Sequence, residues 1–326
     1  MMRTITMIAA VREAIEEEMK RDENVIMLGE DIGEMGGPWG SAKGLLEEFG
    51  PGRIIQTPIS EWGFTGISVG AAVRGMRPIA ELMYNDFISV CLDPIMNQAA
   101  KMCYMTGGQV SVPMVLRAPT GTGRRGAAQH SQNMESLFAH IPGLKVIAPS
   151  CPQDAKGLLK SAIRDDDPVI SLEHKFLYPQ KGEVDDSIET IPLGVADVKR
   201  EGSDVSIITW SRQVQFSLEA AEKLAGRGIN AEILDLRTLV PLDWEAVCRT
   251  VCKTHRAVIV EEDVRRCGFG AEIAAEIGEK LFDELDAPVV RVASLNSSVP
   301  FAPELEEEIY PHPETIVRAV TELLEQ

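Results

Sequence analysis

Short β-branched runs separated by longer helical stretches recur along almost the whole chain, and that alternation restricts its fold more than any other feature. Runs near 24–28, 53–56, 78–83, 113–117, 145–148 and 169–173 are short and largely apolar, as strands covered on both faces require. Helical spacing fills much of the interval between them, notably over 86–104 and 152–164. The second of these has Pro152 in its first turn and charges along its outer side, both signals of a helix start. From 179 to 202 the periodicity lapses into a polar, glycine-containing stretch that includes Gln180-Lys181-Gly182-Glu183-Val184-Asp185-Asp186. A second alternation follows, with strands near 204–209, 231–236, 257–261 and 289–292 and helices near 214–225, 244–253 and 271–285. A chain of 326 residues accommodates two such units. The expected fold is therefore α/β in two domains, each a mostly parallel sheet flanked by helices, over 1–180 and 203–326, joined by a linker over 181–202.

Composition removes several function classes. The formal charge of −18 argues against nucleic acid, whose phosphates demand clustered Lys and Arg. No apolar run approaches the roughly 18 residues of a membrane span, so a soluble chain is expected. The start of the chain reads as an amphipathic helix over 1–20, with Ile8, Val11, Ile15 and Met19 on one stripe and Glu13, Glu16, Glu17 and Glu18 elsewhere. That is too acidic for a transit peptide. Six scattered cysteines without a two-residue spacing suggest free thiols in a reducing cytoplasm. Cys248 and Cys252, near His255, read as part of an apolar helix stripe with Val247 and Val251 rather than as metal ligands.

Four motifs carry candidate chemistry. Glu61, in Thr57-Pro58-Ile59-Ser60-Glu61-Trp62-Gly63-Phe64, is a lone carboxylate among apolar and glycine neighbours. Held against Ile59, Trp62 and Phe64 it would be desolvated and suited to sharing a proton with a ligand nitrogen; alternatively it merely complements a helix dipole in the first turn. Gly66-Ile67-Ser68-Val69-Gly70 matches a nucleophile elbow, but no strand runs into it, and its glycines read instead as allowing close helix packing. Gly121-Thr122-Gly123-Arg124-Arg125-Gly126 matches a dinucleotide fingerprint, yet it lies deep in the domain and lacks the acidic residue of a following strand. Its glycines read as permitting sharp bends or close approach to a ligand. His130 closes that loop, where strand-end loops carry active sites.

Glu61 and its neighbours, with Gly126-Ala127-Ala128-Gln129-His130-Ser131-Gln132, Gly29-Glu30-Asp31, Asn97-Gln98-Ala99-Ala100-Lys101, Pro142-Gly143-Leu144-Lys145-Val146 and Gly268-Phe269-Gly270-Ala271-Glu272, stand in a shared order and spacing. Together they resemble the beta subunit of thiamine diphosphate-dependent 2-oxoacid dehydrogenases of the pyruvate and acetoin type, over nearly the whole chain. The resemblance implies a transketolase-like pyrimidine-binding domain followed by a transketolase C-terminal domain. It implies that Glu61 hydrogen-bonds the cofactor aminopyrimidine and favours its imino tautomer, that Met83 and Phe87 lie against that ring, and that Glu30 belongs to an acidic path between two active sites. His130 would meet the incoming lipoyl group. A potassium site is implied at Met114, Ala162, Ile163, Asp165 and Asp167, and Asp286 matches a position that helps dock the acyltransferase core.

The chain has no Gly-Asp-Gly segment, with which such enzymes hold the diphosphate through magnesium. The resemblance assigns that half to an alpha subunit in an α2β2 heterotetramer, whose lipoyl-bearing partner is a dihydrolipoyl acyltransferase core. A small 2-oxoacid or acetoin is the implied substrate, and 170–175 with Arg124 inclines toward acetoin. Trp62, Arg125 and 295–298 depart from the family pattern. A non-catalytic scaffold subunit and a self-sufficient transketolase-like synthase are the competing readings; retention of Glu61 and His130 opposes the first and the missing diphosphate motif the second.

Overall fold

The computed structural model describes residues 2–325. They fall into two compact units, 2–120 with 137–193, and 121–136 with 194–325. The first carries a parallel sheet whose neighbours run in the order Lys145–Ile147, Val169–His174, Val115–Thr120, Arg77–Glu81, Val25–Glu30 and Ile54–Thr57. Val25–Glu30, Val115–Thr120 and Val169–His174 are buried along their whole length, which explains why their sequences do not alternate.

The helices Met7–Arg21 and Pro152–Arg164 pack together over the core of this unit, burying Val11, Ile15, Met19, Leu158 and Ile163. Their polar sides are joined by ion pairs: Lys156 to Glu17 at 2.7 Å, Lys160 to Glu17 at 2.9 Å and Arg164 to Glu18 at 2.7 Å. Glu18, expected on the outside, is 0 % exposed and held by Arg164 and Arg21. The expected helix over 1–20 also begins later. Met2–Thr6 is a strand, antiparallel to Lys181–Asp185, and Thr6 caps the helix through Ala9 N–H at 3.3 Å; Met1 lies outside the described residues.

The expected helix over 86–104 is instead a succession: a 3₁₀ turn at Asn85–Phe87, a helix at Ile88–Asp93, a π-helical stretch at Pro94–Ala99 and a helix at Ala100–Met105. Cys91 leaves helical geometry (φ −115°, ψ 20°) three residues before Pro94, whose ring cannot follow a regular turn.

In the second unit the order is Val290–Ser294, Ala257–Val264, Val205–Thr209, Ala231–Asp235 and Asp197–Arg200, with only the last pairing antiparallel. Lys181–Asp185 and Asp197–Arg200 thus place two strands inside the stretch expected to be a linker. Both join sheets through backbone pairing, which the polar composition of the stretch concealed. The helices Gln213–Ala225, Trp244–Thr254, Gly270–Lys280 and Pro313–Leu324 accompany this sheet. On Trp244–Thr254, Val247 and Val251 are buried but Cys252 is exposed, so Cys252 lies off the apolar stripe. The helix expected over 271–285 ends at Lys280 and gives way to a 3₁₀ turn, Phe282–Glu284. Among the described residues no helix is long and apolar enough to cross a membrane.

Candidate functional site

In the first unit, the carboxyl ends of adjacent parallel strands gather the expected residues, where open α/β sheets place their ligands. Glu30 ends Val25–Glu30, Met83 follows Arg77–Glu81 by two residues, and Glu61 opens the helix Glu61–Val73 after Ile54–Thr57. Glu61 is 8 % exposed and, among the described residues, makes no side-chain hydrogen bond. Its desolvation does not come from the expected neighbours: Ile59 and Trp62 are 81 % and 59 % exposed, and only Phe64 is buried. Trp62 follows the helix outward, with Gly66, Ile67 and Gly70 on the same exposed side. The glycines that read as packing sites have open space where a Cβ would stand.

Glu30 and Glu61 lie close enough to influence each other. Burial, and then the charges of Glu61 and Asp31, raise the Glu30 carboxyl above its ordinary range, while the Ser60 N–H opposes the shift. Among the described residues Glu30 Oε1 has no hydrogen-bond partner. Cys91 is a third member of this group. Burial pushes its thiol up to about 11, with the Thr65 hydroxyl opposing and the Glu61 charge adding to the rise. Met83 and Phe87 are half-buried. The Met83 carbonyl accepts the Trp39 indole N–H at 3.1 Å, and Tyr84 meets both Trp39 and Phe87 edge-on at 5.7 Å.

Beneath Met83 lies a buried charge network absent from the sequence expectations. Arg117, 0 % exposed, is paired with Glu81 and Glu173 on the flanking strands. Ser41 donates to Glu81 at 2.5 Å, and Ser171 and Tyr178 donate to Glu173, each at 3.0 Å. The signal was present: Glu81, Arg117 and Glu173 are charges at buried positions of three strands, and buried strands keep charges only where they are paired.

The potassium candidates also gather in the first unit, beside two cationic side chains. Arg77 donates to the carbonyls of Ile163 (3.1 Å) and Asp165 (2.8 Å), and Lys145 to both carboxylate oxygens of Asp165 at 2.8 Å. Lys145 also reaches Asp167 at 3.1 Å. The Met114 carbonyl accepts Val169 N–H at 2.9 Å, and that of Ala162 accepts Asp165 N–H at 3.3 Å.

His130 and Asp286 belong to the second unit. His130 is half-buried at the end of a tightly bent loop. Gly121, Gly123, Arg125 and Ala127 all have positive φ. A Cβ at Gly126 would stand 2.9 Å from the His130 carbonyl, so the bend requires glycine there. Arg124 and Arg125 are exposed. Asp286 pairs with Arg256 at 3.0 Å and is half exposed.

Next to this loop the second unit has a polar cavity of about 360 Å³, lined in part by Ser131, Asn133, Glu262, Asp263, Ser294 and Asn296. Burial raises Asp263 to about 6, with the Glu261 charge adding to it, and raises Glu135 well above the carboxylate range, with Asp263 adding to that. These carboxylates were also missed, although Glu261-Glu262-Asp263 at the end of an apolar strand marks them in the sequence.

The family model for the transketolase pyrimidine-binding domain matches residues 3–181, and that for the transketolase C-terminal domain matches 194–316. A solved split-gene transketolase, described as an inactive beta4 tetramer, superposes with a TM-score of 0.81 at 23 % identity over 98 % of both chains, a likeness of fold. The chain is thus a two-domain protein of the transketolase class. It is 48 % identical to the acetoin:2,6-dichlorophenolindophenol oxidoreductase subunit beta of Bacillus subtilis (strain 168), over 99 % of this chain and 98 % of the relative. It is 47 % identical to the pyruvate dehydrogenase E1 component subunit beta of Rickettsia felis, over 97 % of each. Identity to the 2-oxoisovalerate dehydrogenase subunit beta of Bacillus subtilis is 44 %, over 99 % of this chain and 100 % of the relative. The chain belongs to the family of 2-oxoacid and acetoin dehydrogenase beta subunits.

Proposed function

We propose that this chain supplies the aminopyrimidine half of a thiamine diphosphate site and works as the beta subunit of a 2-oxoacid or acetoin dehydrogenase. One observation carries the reading: Glu61 is a largely buried carboxyl at a helix start that, among the described residues, makes no side-chain hydrogen bond. Such a group is left to share a proton with a ring nitrogen. The orphan Oε1 of Glu30 beside it and the apolar Met83 and Phe87 at the same sheet edge fit the same ligand.

When bound, thiamine diphosphate supplies the electron sink for breaking the bond next to the substrate carbonyl. The chain's residues orient and protonate. Glu61 would share a proton with the ring nitrogen, Met83 and Phe87 would lie against the ring, and Glu30 communicates charge with Glu61. His130 faces the lipoyl arm that takes the acyl group. The diphosphate and magnesium fall to an alpha subunit in an α2β2 assembly, and Asp286, shared with Arg256, contributes to docking an acyltransferase core. Potassium at Met114, Ala162, Ile163, Asp165 and Asp167 remains part of this reading, since the carbonyls of Met114, Ala162, Ile163 and Asp165 accept N–H groups here and a carbonyl oxygen has two lone pairs. The free thiols suit a reducing cytoplasm.

The test is reconstitution with an alpha subunit, followed by assay of pyruvate, acetoin and branched-chain 2-oxoacids with thiamine diphosphate and magnesium. Turnover of one class is expected. A well-assembled heterotetramer inert toward all three would favour the scaffold reading.

A further inference from the structure

The loop that carries His130 is tied down by carboxylates of its own unit. At its start, Thr122 donates both its N–H and its hydroxyl to Glu262 Oε1, each at 2.8 Å. The next residue, Gly123, donates its N–H to Glu306 Oε1 at 2.8 Å. At its far end, Asn133 Nδ2 lies 3.4 Å from both the Glu262 carbonyl and Oε1, and Ser136 donates to Asp263 at 3.1 Å. One carboxylate oxygen therefore meets both ends of the segment between Thr122 and Asn133.

Glu262 is itself held in place. Ser294 donates to its carbonyl at 2.5 Å, and the Arg212 guanidinium stands 3.8 Å from its other carboxylate oxygen. That guanidinium lies over the rings of Phe216 and Tyr310, 4.6 Å from each centroid. Glu262 and Glu306 are 5 % and 3 % exposed. Two of the loop's donors are backbone N–H groups, so the carboxylates fix the path of the chain as well as its side chains. Closing a loop of this length restricts where the residues between the two tethers can stand, and His130 lies between them, three residues before Asn133.

We propose that Glu262 and Glu306 are positioning residues for His130, clamping its loop so that the imidazole is presented to the lipoyl arm. The proposal rests on the role given to His130 above. Displacement of a reacting group by about 1 Å costs on the order of 100-fold in rate. Glu262→Ala should therefore lower lipoyl-domain acylation by roughly 10- to 100-fold, while reduction of an artificial electron acceptor changes far less. Glu262→Gln, whose carbonyl oxygen still accepts from Thr122, should restore most of the loss.

The experiment uses the reconstituted heterotetramer with Glu262→Ala, Glu262→Gln, Glu306→Ala, His130→Ala and the Glu262→Ala/His130→Ala pair, each in both assays. The paired variant should be no slower in acylation than His130→Ala alone. Equal losses in the two assays, or multiplying losses in the pair, overturn the clamp. Amide hydrogen exchange reads the loop without turnover: Glu262→Ala should speed exchange over 121–136, and unchanged exchange overturns the proposal. If the alanine variant does not assemble, Thr122→Val takes its place in the same measurements, with a smaller loss in the same direction expected. His130→Ala with parental acylation removes the His130 role and this proposal together while leaving the dehydrogenase reading standing; a parental complex silent in both assays refutes both.

Discussion

Arg117 meets Glu173 side-on, its Nε 2.8 Å from Oε1 and its Nη2 2.6 Å from Oε2, and neither side chain is more than 1 % exposed. The forked geometry matches the carboxylate, and the remaining guanidinium nitrogen turns to Glu81 on the other neighbouring strand. Burial opposes the charge on Arg117, but the two carboxylates hold its pKa above the usual value. Burial raises the Glu81 carboxyl, against the pull of Arg117.

Removing only the cation leaves two carboxylates buried without compensation. Arg117→Met should therefore destabilise the chain by about 3–5 kcal/mol, seen as a lower urea midpoint at unchanged slope. Replacing Arg117, Glu81 and Glu173 together by apolar residues of similar size should cost much less. If the single and triple variants unfold at the same midpoint, the network is not what sets the local stability.

Glu61→Gln keeps the shape of the side chain but cannot carry the proton. Turnover of the reconstituted enzyme should fall by about 100-fold or more, while the complex with the alpha subunit persists on gel filtration. Activity within a few-fold of the parent would take Glu61 out of the mechanism. On the half-site reading the chain by itself should bind thiamine diphosphate weakly, and tight stoichiometric binding in calorimetry would sink that reading.

Periodicity carried the fold a long way and failed at identifiable places. Val25–Glu30 and Pro152–Arg164 were legible because continuous apolar runs and a first-turn proline have one reading each. Lys181–Asp185 was hidden because it joins a strand pair through backbone hydrogen bonds while exposing polar side chains. The helix expected over 86–104 was overextended because spacing alone does not register the break at Cys91 ahead of Pro94. At the candidate site, Glu61 stood out as a lone carboxylate in an apolar setting. Arg117, Glu173, Glu262 and Glu306 stand out locally only as charges, the first three in buried strands; their partners across the fold lie 36 to 183 residues away, and spacing does not say which charges pair.

Asp263 gives the second unit a pH signature. Burial lifts its folded value to about 6, against about 4 for an unfolded aspartate. The folded chain then binds this proton more tightly than the unfolded chain, so the contribution is favourable below pH 4 and is lost as pH rises toward 6. Asp263→Asn should add of order 1–3 kcal/mol at pH 8 and little at pH 4. A stability difference between variant and parent that is the same at both pH values would remove Asp263 as the cause.

Lys145 offers a direct check on the proposed potassium site. Burial works against its charge, but hydrogen bonds to Asp165 and Asp167 outweigh it and raise the ammonium pKa. Lys145→Met deletes a cation from a group where Asp165 and Asp167 supply negative charge and Arg77 holds the nearby carbonyls. If a monovalent cation shares this group, the variant should depend on it more heavily than the parent. Its Tm in sodium chloride should fall by several degrees, about 2–4 °C per kcal/mol lost in a chain of this size, and potassium chloride at the same ionic strength should recover part of the fall. Matching ionic strength cancels general screening, so the difference between the two salts reports site occupancy. Identical melting in both salts for parent and variant would show that Lys145 and Arg77 alone neutralise these oxygens, and the potassium assignment would go.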